Sequence, residues 1–224
     1  MNLTSKKETP SSSPSGLWQE TLHKKYFKQG VGLIIKHADR YLFAIGKESF
    51  WQQDNQQQVI TYTAVGGTRE LSESFLDCAY REAKEELGVD VEIFGCRKSI
   101  FYDFETKKKK KLILRETKAP WLVYSMPLTD KQGLAVCVYL AQLKNNSPRP
   151  SMEVPALILL TPGQVINCGS QTLSTLLNEG AEISEQREIP RNAIIKPFGT
   201  AEILQTLSLK ELISIQSHYK YVSS

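Results

Sequence analysis

Glu82, Glu85 and Glu86 crowd three carboxylates into the short segment REAKEE. In a helix, at about 100° per residue, they fall within an arc of about 100° and so share one face. Like charges at i,i+3 and i,i+4 repel, so helix stability alone selects against the arrangement, and a cation held among the three removes the penalty. A donor set made of oxygens suits a hard divalent ion, Mg2+ or Mn2+, before Zn2+. The bland alternative is a Glu-rich helix face in solvent, and the flanking residues decide between the two.

Those residues describe a loop, a helix and a second loop. Ser72 or Ser74 can cap the helix, Glu73 sits at its positive dipole end, and Gly88 supplies a left-handed stop after Leu87. Leu76, Ala79, Tyr80, Ala83 and Leu87 recur at spacings of three or four and predict one apolar stripe. The strand-like VITYTAV, Val59–Val65, feeds directly into Gly66.

From Gly67 there are five residues to Glu73, seven more to Arg81, and then Arg-Glu-Ala-Lys-Glu-Glu-Leu-Gly-Val through Val89. This stretch resembles, without departure, the signature of the Nudix superfamily. The resemblance implies an α/β protein: a Nudix-like α/β/α sandwich with a central mixed β-sheet, a catalytic loop-helix-loop and, in this chain, a C-terminal helical extension. It implies hydrolysis of a nucleoside diphosphate linked to another group, with Mg2+ or Mn2+ held by Glu82, Glu85, Glu86 and the carbonyl of Gly66. Glu73 and Arg81 are expected to brace the loops as a charge pair. An acid soon after a long strand commonly assists in the family, and Glu153 is the candidate here. The base that activates water stays open between Glu82 and Glu153. Subfamily marks for ADP-ribose, dinucleoside polyphosphates and coenzyme A are not met: the corresponding places hold Phe104, Glu105 and Thr106, and VITYTAV lacks the coenzyme A pattern.

With 224 residues and 41% hydrophobic content the chain can bury one elaborated core. The chain is expected to divide into a flexible tail over 1–16, a Nudix domain over 17–165 and an extension over 166–224 packed on the same domain. The extension could cover the core, form a homodimer face or close over substrate. A formal charge of +4 suits an anionic small molecule and falls short of a nucleic-acid-binding signature. Cys78, Cys96, Cys137 and Cys168 form no Cys-x-x-Cys pair and are expected as buried thiols. No apolar segment approaches about 18 residues and no signal-peptide pattern opens the chain, so the expectation is a cytoplasmic protein without membrane contact.

Val31–Ile35 and Tyr41–Ile45 predict a hairpin around His37, and QQDNQQQ (52–58) reads as an exposed loop. Phe50 and Trp51 beside it could stack a base. Strands are expected at Val89–Phe94, Ser99–Phe104, Trp121–Pro127 and, centrally, Leu134–Leu143, with helical pieces around 173–177 and 203–207 and a terminal helix over LSLKELISIQSHYKYV (207–222). Lys107–Lys111 is either a solvated hairpin tip or a basic flap that steers phosphates to the carboxylates. If a flap, it would act with Trp121 in a rival reading, RNA 5′-end processing. A second rival is a nucleotide sensor without catalysis, against which the acid set is intact.

Overall fold

The computed structural model describes residues 22, 26, 28–114, 116–128, 133–144, 147–167, 169, 171–207, 212 and 215. The expected tail, Cys168 and most of the terminal helix lie outside these residues.

Two near-continuous apolar segments set the frame. β1 (Lys28–His37) and β9 (Gly133–Leu143) pair in parallel from Lys28↔Leu134 to Lys36↔Gln142. Strands buried on both faces read as such runs. β1 turns at Ala38 (φ 53°) and Asp39 into antiparallel β2 (Arg40–Ile45). β3 (Gln52–Asp54) and β4 (Gln57–Thr63) follow, then helix α1 (Phe75–Leu87) and β5 (Val91–Phe94), which borders β9. β6 (Ser99–Asp103), β7 (Lys109–Leu112) and β8 (Leu122–Pro127) extend the sheet on the far side of β9.

After β9 come β10 (Ala156–Leu160), α2 (Pro162–Asn167), β11 (Gln171–Thr172), α3 (Leu173–Asn178), β12 (Glu182–Glu185), β13 (Ile194–Pro197) and α4 (Thr200–Gln205). The principal strand order is β11-β13-β4-β2-β1-β9-β8-β6-β7. Parallel and antiparallel pairs coexist in it, so the sheet is mixed.

Period-2 alternation divides the core between the sheet's two faces. Leu33 and Ile35 pack with Phe75, Ala79, Ala83 and Leu87 of α1, whereas Ile34 belongs to the opposite cluster with Leu173, Leu176, Ile203 and Leu204. Helices therefore cover both faces, and the layers are α/β/α. Among the described residues no helix is long and apolar enough to cross a membrane.

Three local expectations are corrected. QQDNQQQ is a hairpin, because Asn55 and Gln56 both take positive φ (46° and 69°) and return the chain as a tight turn. The extension adds strands as well as helices: β13 runs parallel to β4, from Ile194↔Val59 to Pro197↔Tyr62, and β12 pairs β10. Tyr80 leaves the buried stripe, and its hydroxyl accepts from Lys118 Nζ at 2.8 Å. Phe75 and Cys78 take that buried side instead. The lysine run lies on a solvated hairpin as expected: Lys107 and Lys108 stand between β6 and β7, Lys107 over the Phe104 ring, and Lys109–Lys111 form the exposed edge strand β7. Such charge protects an exposed edge from pairing with another chain.

Candidate active site

Helix α1 starts where its sequence dictates. The Ser74 hydroxyl accepts from the Asp77 N–H at 3.1 Å, and Gly88 ends the helix in the left-handed region (φ 68°), its N–H reaching Lys84 O. The preceding loop is pressed onto β1. Val31 N–H donates to Gly67 O at 2.9 Å and Leu33 N–H to Val65 O at 2.7 Å. Gly66 lies at φ +149°, and a Cβ there would stand 2.2 Å from Val31 O; at Gly67 it would meet Glu82 Oε1 at 2.3 Å. The two glycines let backbone and carboxylate approach at distances that no side chain tolerates.

Arg81 organises the acids. Its Nε bonds Glu73 Oε1 at 2.7 Å and its Nη2 bonds Glu73 Oε2 at 3.1 Å, a two-toothed pair that joins helix to loop as expected. Nη1 holds Glu82 Oε1 at 2.9 Å and Glu85 Oε2 at 2.8 Å, and Nη2 also donates to Thr68 O. Arg69 adds a bond to the Glu73 carbonyl. The hydrogen bonds from Arg81 draw the Glu73 carboxyl down to about 2, and those same bonds raise the guanidinium above its usual range. Glu82 is buried, and the loss of solvent pushes its pKa up despite Arg81.

Glu86 is separate from this cluster. Gly66 N–H donates to its Oε2 at 3.0 Å. Burial pushes its carboxyl up to about 8, with Glu82 and Glu153 adding repulsion and Gly66 N–H and Lys47 opposing the rise. Glu153 is exposed after β9, with Lys47 Nζ 3.1 Å from its Oε2. Glu86, Glu153 and Lys47 all border one pocket of about 530 Å3, walled by Ala44, Ile45 and Val154 together with aromatic side chains of Phe50, Trp51 and Phe198. Trp51 is anchored there, its indole N–H bonding Gly46 O at 2.7 Å.

The structure thus brings Glu86 and Glu153 to one pocket and Glu82 and Glu85 to Arg81. As placed, no three His, Cys, Asp or Glu side chains among the described residues are gathered around a common point where an ion could sit, Arg81 filling that role for two of the acids. Gly66 enters the geometry through its N–H. Lys47, Thr61, Thr63 and Phe198 also border the pocket, and the sequence carries no pattern that marks them, since only the pairings of β2, β4 and β13 bring them together.

Two expectations attached to RNA lose their footing. Trp121 is 6% exposed within the core and offers no stacking face. β7 is the last strand at one end of the sheet order, whereas β4, whose Thr61 and Thr63 border the pocket, lies toward the other end. The thiols are inert: Cys78, Cys96 and Cys137 are buried, and burial pushes the first two up to about 12.

The family described as the NUDIX domain matches residues 28–139, half of the chain. No curated protein matches it. Among solved structures, the chain is similar to a NUDIX-family hydrolase of Clostridium perfringens, with 20% identity, TM-score 0.42, and 62% of this chain and 84% of that one covered. It is also similar to a MutT NUDIX hydrolase of Burkholderia pseudomallei, with 18% identity, TM-score 0.39, and 61% and 84% covered. A third is an ADP-ribose pyrophosphatase of Streptococcus suis, with 18% identity, TM-score 0.37, and 61% and 75% covered.

Proposed function

Because the chain belongs to the Nudix family, we propose that it is a divalent-metal-dependent hydrolase that cleaves the diphosphate bond of a nucleoside diphosphate linked to another group. The observation that carries this reading is the meeting of Glu86, Glu153 and Lys47 with an aromatic wall in one pocket. A substrate with an anionic centre and a planar apolar end needs both.

Glu82, Glu85 and Glu86, with the carbonyl of Gly66, would hold the ion, Mg2+ or Mn2+. Their all-oxygen chemistry fits a hard cation. Glu86 fits as well, because burial and the neighbouring Glu82 and Glu153 make its negative charge costly and a cation offsets that cost. The chemistry a divalent ion supplies in such a set is neutralisation of diphosphate charge and Lewis acidity toward phosphate and water oxygens.

The chain's own residues do the rest. Glu153 takes the proton of the attacking water, since it borders the pocket and is exposed, whereas Glu82 is buried against Arg81. Lys47 leaves Glu153 for the phosphates when substrate arrives and offsets their charge. Arg81 and Glu73 fix the loop so that the carboxylates keep their spacing. The test is release of phosphate or nucleotide from a panel of nucleoside triphosphates, nucleotide sugars, ADP-ribose, dinucleoside polyphosphates and triphosphorylated RNA, each with Mg2+, Mn2+ or chelator. Chelator-sensitive cleavage of a small nucleotide derivative is expected. Silence across the panel in a protein that binds the metal would favour a nucleotide sensor.

A further inference from the structure

Phe198 stands well beyond the family match at 28–139, yet its side chain borders the same pocket as Glu86 and Glu153. It is 51% exposed, and Phe50 on the same pocket is 67% exposed. Two phenyl rings left in water forgo burial that the fold could have used. Meanwhile the backbone that carries Phe198 is fixed. Pro197 pairs with Tyr62 at the end of β13, and Phe198 N–H donates to Tyr62 O at 2.9 Å. Gly199 then takes φ 57°, where a Cβ would come within 3.1 Å of the Tyr124 hydroxyl. Thr200 follows, buried, with its hydroxyl 3.3 Å from that of Tyr124. An exposed aromatic on a backbone this constrained is a contact surface held ready for a ligand.

The pocket's chemistry says what kind. Lys47 is the only basic side chain that borders it among the described residues, so beyond the acid-lined end there is little to hold a second anionic group. The remaining wall is aromatic and aliphatic, with Ser49, Gln52, Thr61 and Thr63 as hydrogen-bonding side chains. That combination suits a flat, uncharged, hydrogen-bonding ring system, and about 530 Å3 has room for a nucleoside. We propose that Phe198, with Phe50, stacks the nucleobase of the substrate, so that the segment after β13 completes the substrate site. The identity of the diphosphate rests on the hydrolase reading above; the base contact does not require turnover.

The test is therefore made without metal or catalysis. Binding of adenosine, guanosine, cytidine and uridine, with ribose as the base-free control, is measured by saturation-transfer NMR in chelator for wild type, Phe198→Ala and Phe198→Tyr. Phe198 lies on the surface, so circular dichroism should show all three equally folded. The expected result is binding of at least one nucleoside in preference to ribose, weakened about tenfold in Phe198→Ala and restored in Phe198→Tyr. An unchanged dissociation constant in Phe198→Ala, an equal loss for ribose, or no preference for nucleosides in the wild type would each overturn the proposal. Chelator-sensitive hydrolysis by the wild type judges the hydrolase reading separately.

Discussion

Glu73→Gln isolates the ion pair that ties the loop to the helix. Arg81 lowers the Glu73 carboxyl from its usual 4.5 to about 2, a difference that corresponds to about 3 kcal/mol of stabilisation at neutral pH. Solvent screening and the remaining Arg81 partners, Glu82 and Glu85, reduce the expected loss to about 1.5 kcal/mol. In a chain of this size that is a fall of about 3–6 °C in melting temperature. The sign over pH follows from the lowered value. The stabilisation is fully present above about 4.5 and fades as pH falls toward 2, where folded and unfolded chains are both protonated. Thermal unfolding of wild type and variant, followed by circular dichroism in chelator from pH 7 to 2.5, should show a gap that narrows below pH 4.5. A second consequence is functional. Without Glu73 the guanidinium is left to Glu82 and Glu85, so the variant should need more Mg2+ for half-maximal activity. Melting curves that coincide at pH 7, or a gap that stays constant down to pH 2.5, would refute the argument.

Gly66→Ala and Gly67→Ala should separate fold from activity. The first drives a Cβ at φ +149° into the Val31 carbonyl and is expected to cost about 2 kcal/mol or more in denaturant unfolding. The second meets only the end of the Glu82 side chain, so it should lower kcat with a smaller stability loss. Glu85→Gln and Glu86→Gln should each reduce kcat by at least about a hundredfold with the fold retained, as removal of an ion's own ligand should exceed the usual effect of removing a supporting group. Lys47→Ala removes an exposed pair with Glu153 and should change stability by less than about 1 kcal/mol, while raising KM in steady-state assays. Replacing Lys109, Lys110 and Lys111 with Ser should leave kcat/KM at physiological salt within about twofold, because these exposed, salt-screened charges stand on the edge strand at the opposite end of the sheet order from β4.

The loop-helix-loop was legible because its determinants are local. Ser74, Gly88 and the Glu73–Arg81 pair lie within sixteen residues and act through caps and one turn-to-turn bridge. β1 and β9 were legible from near-continuous apolar runs rich in β-branched residues, as strands covered on both faces read. What escaped was non-local or too short to carry a period. β13 has only Ile194 and Ile195 before Lys196 and Pro197, and its pairing with β4 is specified by tertiary contact. Tyr80 met the helical spacing of an apolar face, but Phe75 and Cys78 took that side, and its hydroxyl found Lys118. Periodicity also placed Glu82 beside the stripe; its burial depends on Gly67 and Arg81, which the helix alone does not show. Lys47 and Phe198 come to the pocket from chain segments about 150 residues apart, and neither has a local signature.

The central claim is that the carboxylates of α1 hold a divalent ion on which diphosphate cleavage depends. The most direct measurement follows Mn2+ binding by electron paramagnetic resonance and hydrolysis in the same samples, for wild type and for the Glu85→Gln, Glu86→Gln double variant, with folding checked by circular dichroism. Binding and hydrolysis are predicted to saturate together in the wild type and to disappear together in the double variant. Undiminished hydrolysis in a folded double variant supplied with Mg2+ or Mn2+ would contradict the account.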